Sequence, residues 1–262
     1  MDTADALQEI RVKRQPLQTS TRDRTRISFD LYARPGRETL LLICPGFFQS
    51  KETAVFQRLA KDLATDRDVI CMDFRGHGRS GGLYTFSAKE GSDLEAVLSW
   101  AGERYSAIHL MGFSLGAAIA INTAARFPEM IQTLVAVSAP SAFEKIEYRF
   151  WTPDAVLTGI RTYGPGVGCR PGPLWLKKKR PADSIRKIDS TPVLLIHGTR
   201  DPIVSHRHSE RLYEKANDPK RLEIIPGGGH AEELYRQHPD RFLQLVRDWI
   251  QTPAKICEKV DS

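Results

Sequence analysis

Between Thr39 and Ser138, short apolar runs alternate with amphipathic stretches, the pattern of parallel strands joined by crossover helices. TLLLIC (Thr39 to Cys44) and DVICMDF (Asp68 to Phe74) stop at Pro45-Gly46 and Gly76 and read as strands buried on both faces. Between them Val55, Leu59 and Leu63, with Phe56 and Ala60 beside them, recur at helical spacing, with Ser50 as the candidate N-cap. Leu94, Val97, Leu98 and Ala101 mark a second helix, and AIHLMGF (Ala107 to Phe113) marks the next strand. A small-residue helix from Leu115 to Phe127 and the strand IQTLVAVS (Ile131 to Ser138) follow. Ahead of the series, RISFDLYAR (Arg26 to Arg34) alternates as an antiparallel strand with one wet face would.

Residues 141–190 break this rhythm with clustered Gly and Pro (YGPGVGCRPGP) and frequent aromatics, and no clean strand. Order returns with PVLLIHG (Pro192 to Gly198), a helix around Ser209 to Ala216, and RLEIIPG (Arg221 to Gly227). A closing helix then presents Phe242, Leu245, Val246 and Trp249 on one face. The pattern predicts an α/β core from residues 1–140 and 191–262, interrupted by a cap or lid over 141–190. Its central sheet is mostly parallel, with an antiparallel N-terminal edge and helices on both faces. A chain of 262 residues suits one such domain.

No run of about eighteen uncharged apolar residues occurs, so stable membrane insertion is not expected. The first residues, MDTADALQEI, lack the basic start and apolar core of a signal peptide, which makes cytoplasmic placement the expectation. Cys44, Cys71, Cys169 and Cys257 are too dispersed for a disulfide framework or a zinc site. The net charge of +6 is concentrated. Residues 141–190 hold ten Lys/Arg against five Asp/Glu, including the run Lys177 to Arg180. No nucleic-acid recognition motif accompanies that run, so it reads as a solvated basic face or as an attractor of anionic substrates.

Candidate chemistry centres on MGFSLGAA, in which Ser114 stands between Gly112 and Gly116 at a strand-to-helix junction. Gly-x-Ser-x-Gly arises by chance in roughly one chain in ten of this length, so the surroundings must carry the argument. A serine nucleophile there needs a turn so sharp that its flanking residues lack side chains. The helix that follows offers its N-terminal charge and the backbone N–H of Leu115 to an oxyanion. The hydroxyl also needs a base and a carboxylate. HGTRDPIV puts Asp201 in a loop after one strand, and IIPGGGHAEE puts His230 in a loop after the last.

The order Ser114, Asp201, His230 resembles the α/β-hydrolase superfamily, in its serine esterase, lipase and thioesterase branch, over about Ile27 to Ile250. LLLICPGFFQS is similar to that family's strand and oxyanion loop, which implies the Phe47 N–H as second oxyanion donor. Here Cys44-Pro45-Gly46 departs from the usual His-Gly approach. DFRGHGRSGG (Asp73 to Gly82) resembles the family's Gly-rich loop. The resemblance implies an α/β-hydrolase fold and a catalytic triad of Ser114, Asp201 and His230, with no metal and no cofactor.

The expected substrate is a small-molecule carboxylic ester with a small or medium acyl group, and Phe48, Phe113, Trp151 and Trp175 are candidate lining. A thioesterase, an acyltransferase and a non-catalytic binding protein on the same fold are the alternatives. No nucleic-acid partner is expected, and the oligomeric state is not legible. Among the other histidines, His77 reads as a residue fixing the Gly-rich loop and His197 as a satisfied core histidine. His206 and His208 read as the start of a surface helix.

Overall fold

The computed structural model describes residues 12–143, 168–173 and 175–251. Eight strands form one sheet: β1 (Lys13–Ser20), β2 (Arg26–Ala33), β3 (Thr39–Cys44), β4 (Asp68–Met72), β5 (Ala107–Phe113), β6 (Thr133–Val137), β7 (Val193–Gly198) and β8 (Lys220–Ile225). Their spatial order is β1-β2-β4-β3-β5-β6-β7-β8. β2 pairs antiparallel with β1 and β4, and every other neighbouring pair is parallel.

The helices are α1 (Ala54–Leu63), α2 (Glu90–Gly102), α3 (Leu115–Ala124), α4 (Pro181–Ser184), α5 (Arg207–Lys215), α6 (Glu232–Gln237) and α7 (Pro239–Gln251). Alternation along each strand feeds two cores. Leu40, Leu42, Ile108 and Leu110 face α2 and α3, whereas Leu41, Ile43, Met111 and Phe113 face α1, α6 and α7. Burial on both faces explains why these strands read as continuous apolar runs. All ten residues of α3 are buried, and its Gly and Ala content lets it lie close against the sheet.

Three expectations change. β2 has no wet face: β1 covers its edge, and Ser28 and Asp30 are buried beneath loops. Asp30 is neutralised there by Lys51 (2.9 Å) and Arg14 (2.6 Å). The N-cap of α1 is Thr53, not Ser50, whose hydroxyl instead accepts the Glu52 N–H. The core also resumes near Pro181, about ten residues earlier than expected, because Ile185 and Ile188 are buried in the α2/α3 core. Among the described residues no helix is long and apolar enough to cross a membrane.

Candidate active site

The strand order reverses at β3, whose chain neighbour β4 lies on one side and β5 on the other, so the C-terminal ends of β3 and β5 open a crevice. The loops after these two strands touch. A Cβ on Gly46 would stand 3.3 Å from the Ser114 Cβ and 3.2 Å from the Phe113 carbonyl oxygen.

Ser114 occupies the turn between β5 and α3 with φ 50° and is half-buried. A Cβ on Gly112 would sit 2.6 Å from the Gly116 carbonyl, and one on Gly116 would collide with the carbonyls of Cys44 and Pro45. Both glycines are therefore dictated by close approach. The Ser114 carbonyl accepts from Ala117 (3.0 Å) and Ala118 (3.2 Å), while Leu115, first in the helix, has no intrahelical acceptor for its N–H.

Left-handed backbone concentrates here. Of seven non-glycine residues with positive φ among the described residues, Phe48, Phe86, Ser87, Ser114, Ser138 and Ala231 border this rim and only Arg24 does not. Strain of this kind persists where the surroundings impose it, and it gathers at functional sites.

Asp201 follows β7 and His230 follows β8, and their loops are stitched together. Arg200 N–H donates to the Gly228 carbonyl (2.9 Å), and a Cβ on Gly198 would come within 2.6 Å of the Gly229 carbonyl. The glycine run thus brings the histidine loop against the end of β7. His230 Nδ1–H donates to Asp201 Oδ2 at 2.6 Å, and Oδ1 accepts from the N–H groups of Ile203 (2.9 Å) and Val204 (2.8 Å). Burial alone would raise the Asp201 pKa, but the charge of His230 and the hydrogen bonds from His197 and His230 hold it well below the carboxylate range.

For His230 burial works against the imidazolium, yet Asp201, with Glu232 and Glu233, outweighs it and raises the pKa above the ordinary histidine value. The Ala231 N–H donates to Ser138 Oγ (3.0 Å), and Ser114 N–H donates to the neighbouring Val137 carbonyl (2.8 Å), so Ser114 and the residue after His230 hang from consecutive residues at the end of β6. No hydrogen bond joins Ser114 Oγ to His230 among the described residues.

Several supporting groups escaped the sequence reading. His197, fully buried, donates through Nε2 to the Val204 carbonyl (2.8 Å) and stands 3.1 Å from Asp201 Oδ2. It is a core histidine that also touches the carboxylate. Gln49 Nε2 donates to Glu232 Oε1 (2.8 Å), tying the loop after β3 to the histidine loop. Asp73 accepts from the N–H groups of Lys51 (2.8 Å) and Arg79 (2.9 Å), and burial raises its pKa to about 6. Its only sequence signal was a lone acid where a strand meets a Gly-rich loop.

His77 behaves as expected, since the Phe48 N–H donates to its Nε2 (3.2 Å) and its Nδ1 faces the Arg75 carbonyl (3.3 Å). Burial lowers its pKa to about 4, which keeps it neutral and able to accept. His208 is not a surface residue: it is buried, and its Nδ1 accepts the Ser141 N–H (3.0 Å). No cluster of three His, Cys, Asp or Glu side chains suited to a metal ion occurs among the described residues.

The expected pocket lining fares unevenly. Phe113 is withdrawn: strand alternation turns its ring into the opposite core, 5.1 Å from Phe56 and 6.1 Å from Phe242. Trp175 is 86% exposed and lines no pocket among the described residues, and Trp151 lies outside them. Phe48 stays at the rim, 3.9 Å from Phe47 between ring centroids. Phe47 stacks on Tyr84 (5.2 Å) and meets Phe86 edge-on (5.5 Å), and Leu115 and Phe143 complete this apolar patch beside Ser114.

The family model described as the alpha/beta hydrolase fold matches residues 39–163, and that described as serine aminopeptidase S33 matches residues 177–233. The chain belongs to the α/β-hydrolase superfamily. This hydrolase chain is 25% identical over 247 residues to the serine hydrolase BPHL of Mus musculus, across 84% of this chain and 82% of that protein. It is 39% identical over 66 residues to the uncharacterized protein YfhR of Escherichia coli, a stretch spanning 25% of this chain and only 23% of that relative's length. A solved esterase of Pyrococcus furiosus has the same fold, with a TM-score of 0.75 at 22% identity over 93% of this chain and 92% of that one.

Proposed function

We propose that the protein is a serine hydrolase that cleaves carboxylic esters of small or medium acyl groups through an acyl-enzyme on Ser114. The observation that carries this reading is the Asp201–His230 pair, hydrogen-bonded at 2.6 Å and suspended with the strained Ser114 turn from the end of β6. Because Nδ1–H is committed to Asp201, Nε2 of neutral His230 is the nitrogen with a lone pair to take the Ser114 proton. Ser114 Oγ then bonds to the carbonyl carbon, and the carbonyl electrons move to an oxyanion facing the Leu115 and Phe47 N–H groups. The oxyanion collapses, the alcohol leaves with the proton from His230, and water activated by the same imidazole releases the acid.

The expected cap, ending near residue 180 because the core resumes at Pro181, fits a cover over this rim. Its described parts support it: Phe143 packs at the apolar patch, and the N–H groups of Arg170 and Gly172 donate to the carbonyls of Gly76 (2.8 Å) in the Gly-rich loop and of Tyr84 (2.7 Å) just after it.

The deciding experiment is stoichiometric labelling by a fluorophosphonate, read by intact mass, alongside turnover of p-nitrophenyl esters from acetate to palmitate. Wild type is expected to label once and to show a chain-length optimum. Ser114→Ala should lose the label and about 10⁴-fold or more in kcat, and His230→Ala should match it. Ser114→Ala with wild-type turnover would overturn the assignment.

A further inference from the structure

The apolar patch beside Ser114 is not apolar at its far side. Phe86 meets Phe47 at 5.5 Å and Phe143 at 6.1 Å, and the Lys178 ammonium stands 5.9 Å from the Phe86 ring centroid. That distance is within cation–π reach. Phe47 and Phe86 are half-buried, so the lane between the turn and the lysine is not sealed from its surroundings. Phe86 holds φ 55°, and strain at an aromatic flanking a site argues that its placement is imposed.

The basic run is also anchored. Asn122 Nδ2 donates to the Lys179 carbonyl (3.1 Å), and the Ala182 N–H donates to the Ser141 carbonyl (3.0 Å). Asn122 lies two turns into α3 from Leu115, which sets the run roughly 10 Å from the Ser114 end of that helix. Lys177 and Lys179 are exposed and form no ion pair among the described residues. A tethered cationic stretch at the end of an aromatic lane is chemistry suited to a substrate that is apolar in the middle and negative at its end.

We propose that Lys178, flanked by Lys177 and Lys179, is a specificity-determining residue that pairs with an anionic group at the far end of the acyl chain. The preferred esters then carry a terminal carboxylate or phosphate-type group roughly 10 Å from the scissile carbonyl, a spacing set by the helical rise along α3. The inference rests on the Ser114 reading above.

The test compares p-nitrophenyl octanoate with two length-matched charged esters, mono-p-nitrophenyl suberate and the p-nitrophenyl ester of 7-phosphonoheptanoate. At low salt wild type should prefer at least one charged ester in kcat/KM, and the two arms separate carboxylate from phosphonate recognition. Lys178→Gln, and separately the double variant Lys177→Gln with Lys179→Gln, should each cut the charged-to-neutral ratio, Lys178→Gln by about fivefold. Sodium chloride at 0.5 M should erode the wild-type ratio through screening. Turnover of octanoate with no preference for either charged ester overturns the inference and leaves the Ser114 reading standing. A preference that survives Lys178→Gln undiminished overturns it as well. No turnover of any ester, with no fluorophosphonate label, overturns both.

Discussion

At the residue scale the decisive group is the Asp201 carboxylate, which accepts from two backbone N–H groups on Oδ1 and from His230 on Oδ2, while the His197 Nε2–H, bonded to the Val204 carbonyl, also lies 3.1 Å from that Oδ2. Two histidines sharing one oxygen divide its charge, so each weakens the hold of the other. In the proposed mechanism His230 must be neutral to accept the Ser114 proton. Its raised pKa therefore places the acidic limb of kcat/KM above the ordinary histidine range, with activity rising as pH rises through it. Removing the competing donor in His197→Phe should leave more of the Asp201 charge to the imidazolium and move that limb to higher pH. Glu232→Gln removes a negative charge that favours imidazolium and should move it to lower pH, with the Gln49 contact kept by the new amide oxygen. Kinetic pH profiles of the two variants check these opposite displacements. A purely structural role for His197 would lower Tm and leave the limb in place.

At the element scale the loops do the positioning, and the loop after β3 depends on groups far away in sequence. His77 accepts the Phe48 N–H, and Asp73 accepts the Lys51 N–H, so the Gly-rich loop grips both ends of the proposed oxyanion loop. His77→Ala should lower kcat about tenfold with little change in KM, less than the loss of an oxyanion donor itself. His77→Gln should restore part of it, because the amide supplies both an acceptor and a donor. Unchanged kcat in His77→Ala would mean the loop holds its shape without that contact.

The same elements show what was legible. The parallel strands and the Ser114, Asp201 and His230 loops stood out because apolar runs and glycine turns are local signals. β1, KRQPLQTS, was silent: it is an edge strand held by backbone pairing to β2, and only Leu17 packs against the core. Phe113 misled because nearness in sequence to Ser114 says nothing about facing, which reverses at every strand residue. Ser138, His197 and Gln49 reach the site only through pairings that the fold creates.

At the scale of the whole molecule, burying so many strands on both faces traps titratable groups whose ionisation opposes folding. His109, on β5, is buried beside Thr133, with Nδ1 2.9 Å from Oγ1, and burial together with Arg67 lowers its pKa to about 4. A histidine whose folded pKa lies below its unfolded value stabilises the fold fully above that unfolded value. It loses that contribution as pH falls toward the folded one. The window is therefore about pH 6.5 to 4, and between pH 7 and 4.5 the loss from a displacement of this size is about 2 kcal/mol. His77 adds a second loss of the same sign, with its pKa lowered to about 4. Asp73 opposes both: burial raises it to about 6, so its protonation on acidification returns stability. The net slope is a balance, and His109 must be isolated by difference. His109→Gln keeps a polar partner for Thr133 but does not titrate, and the site lies beyond its reach at the other end of β5. Urea unfolding at pH 7 and pH 4.5 should show wild type losing about 2 kcal/mol more than this variant. Equal losses would mean that the sheet opens enough at His109 to let it protonate as it does in the unfolded chain.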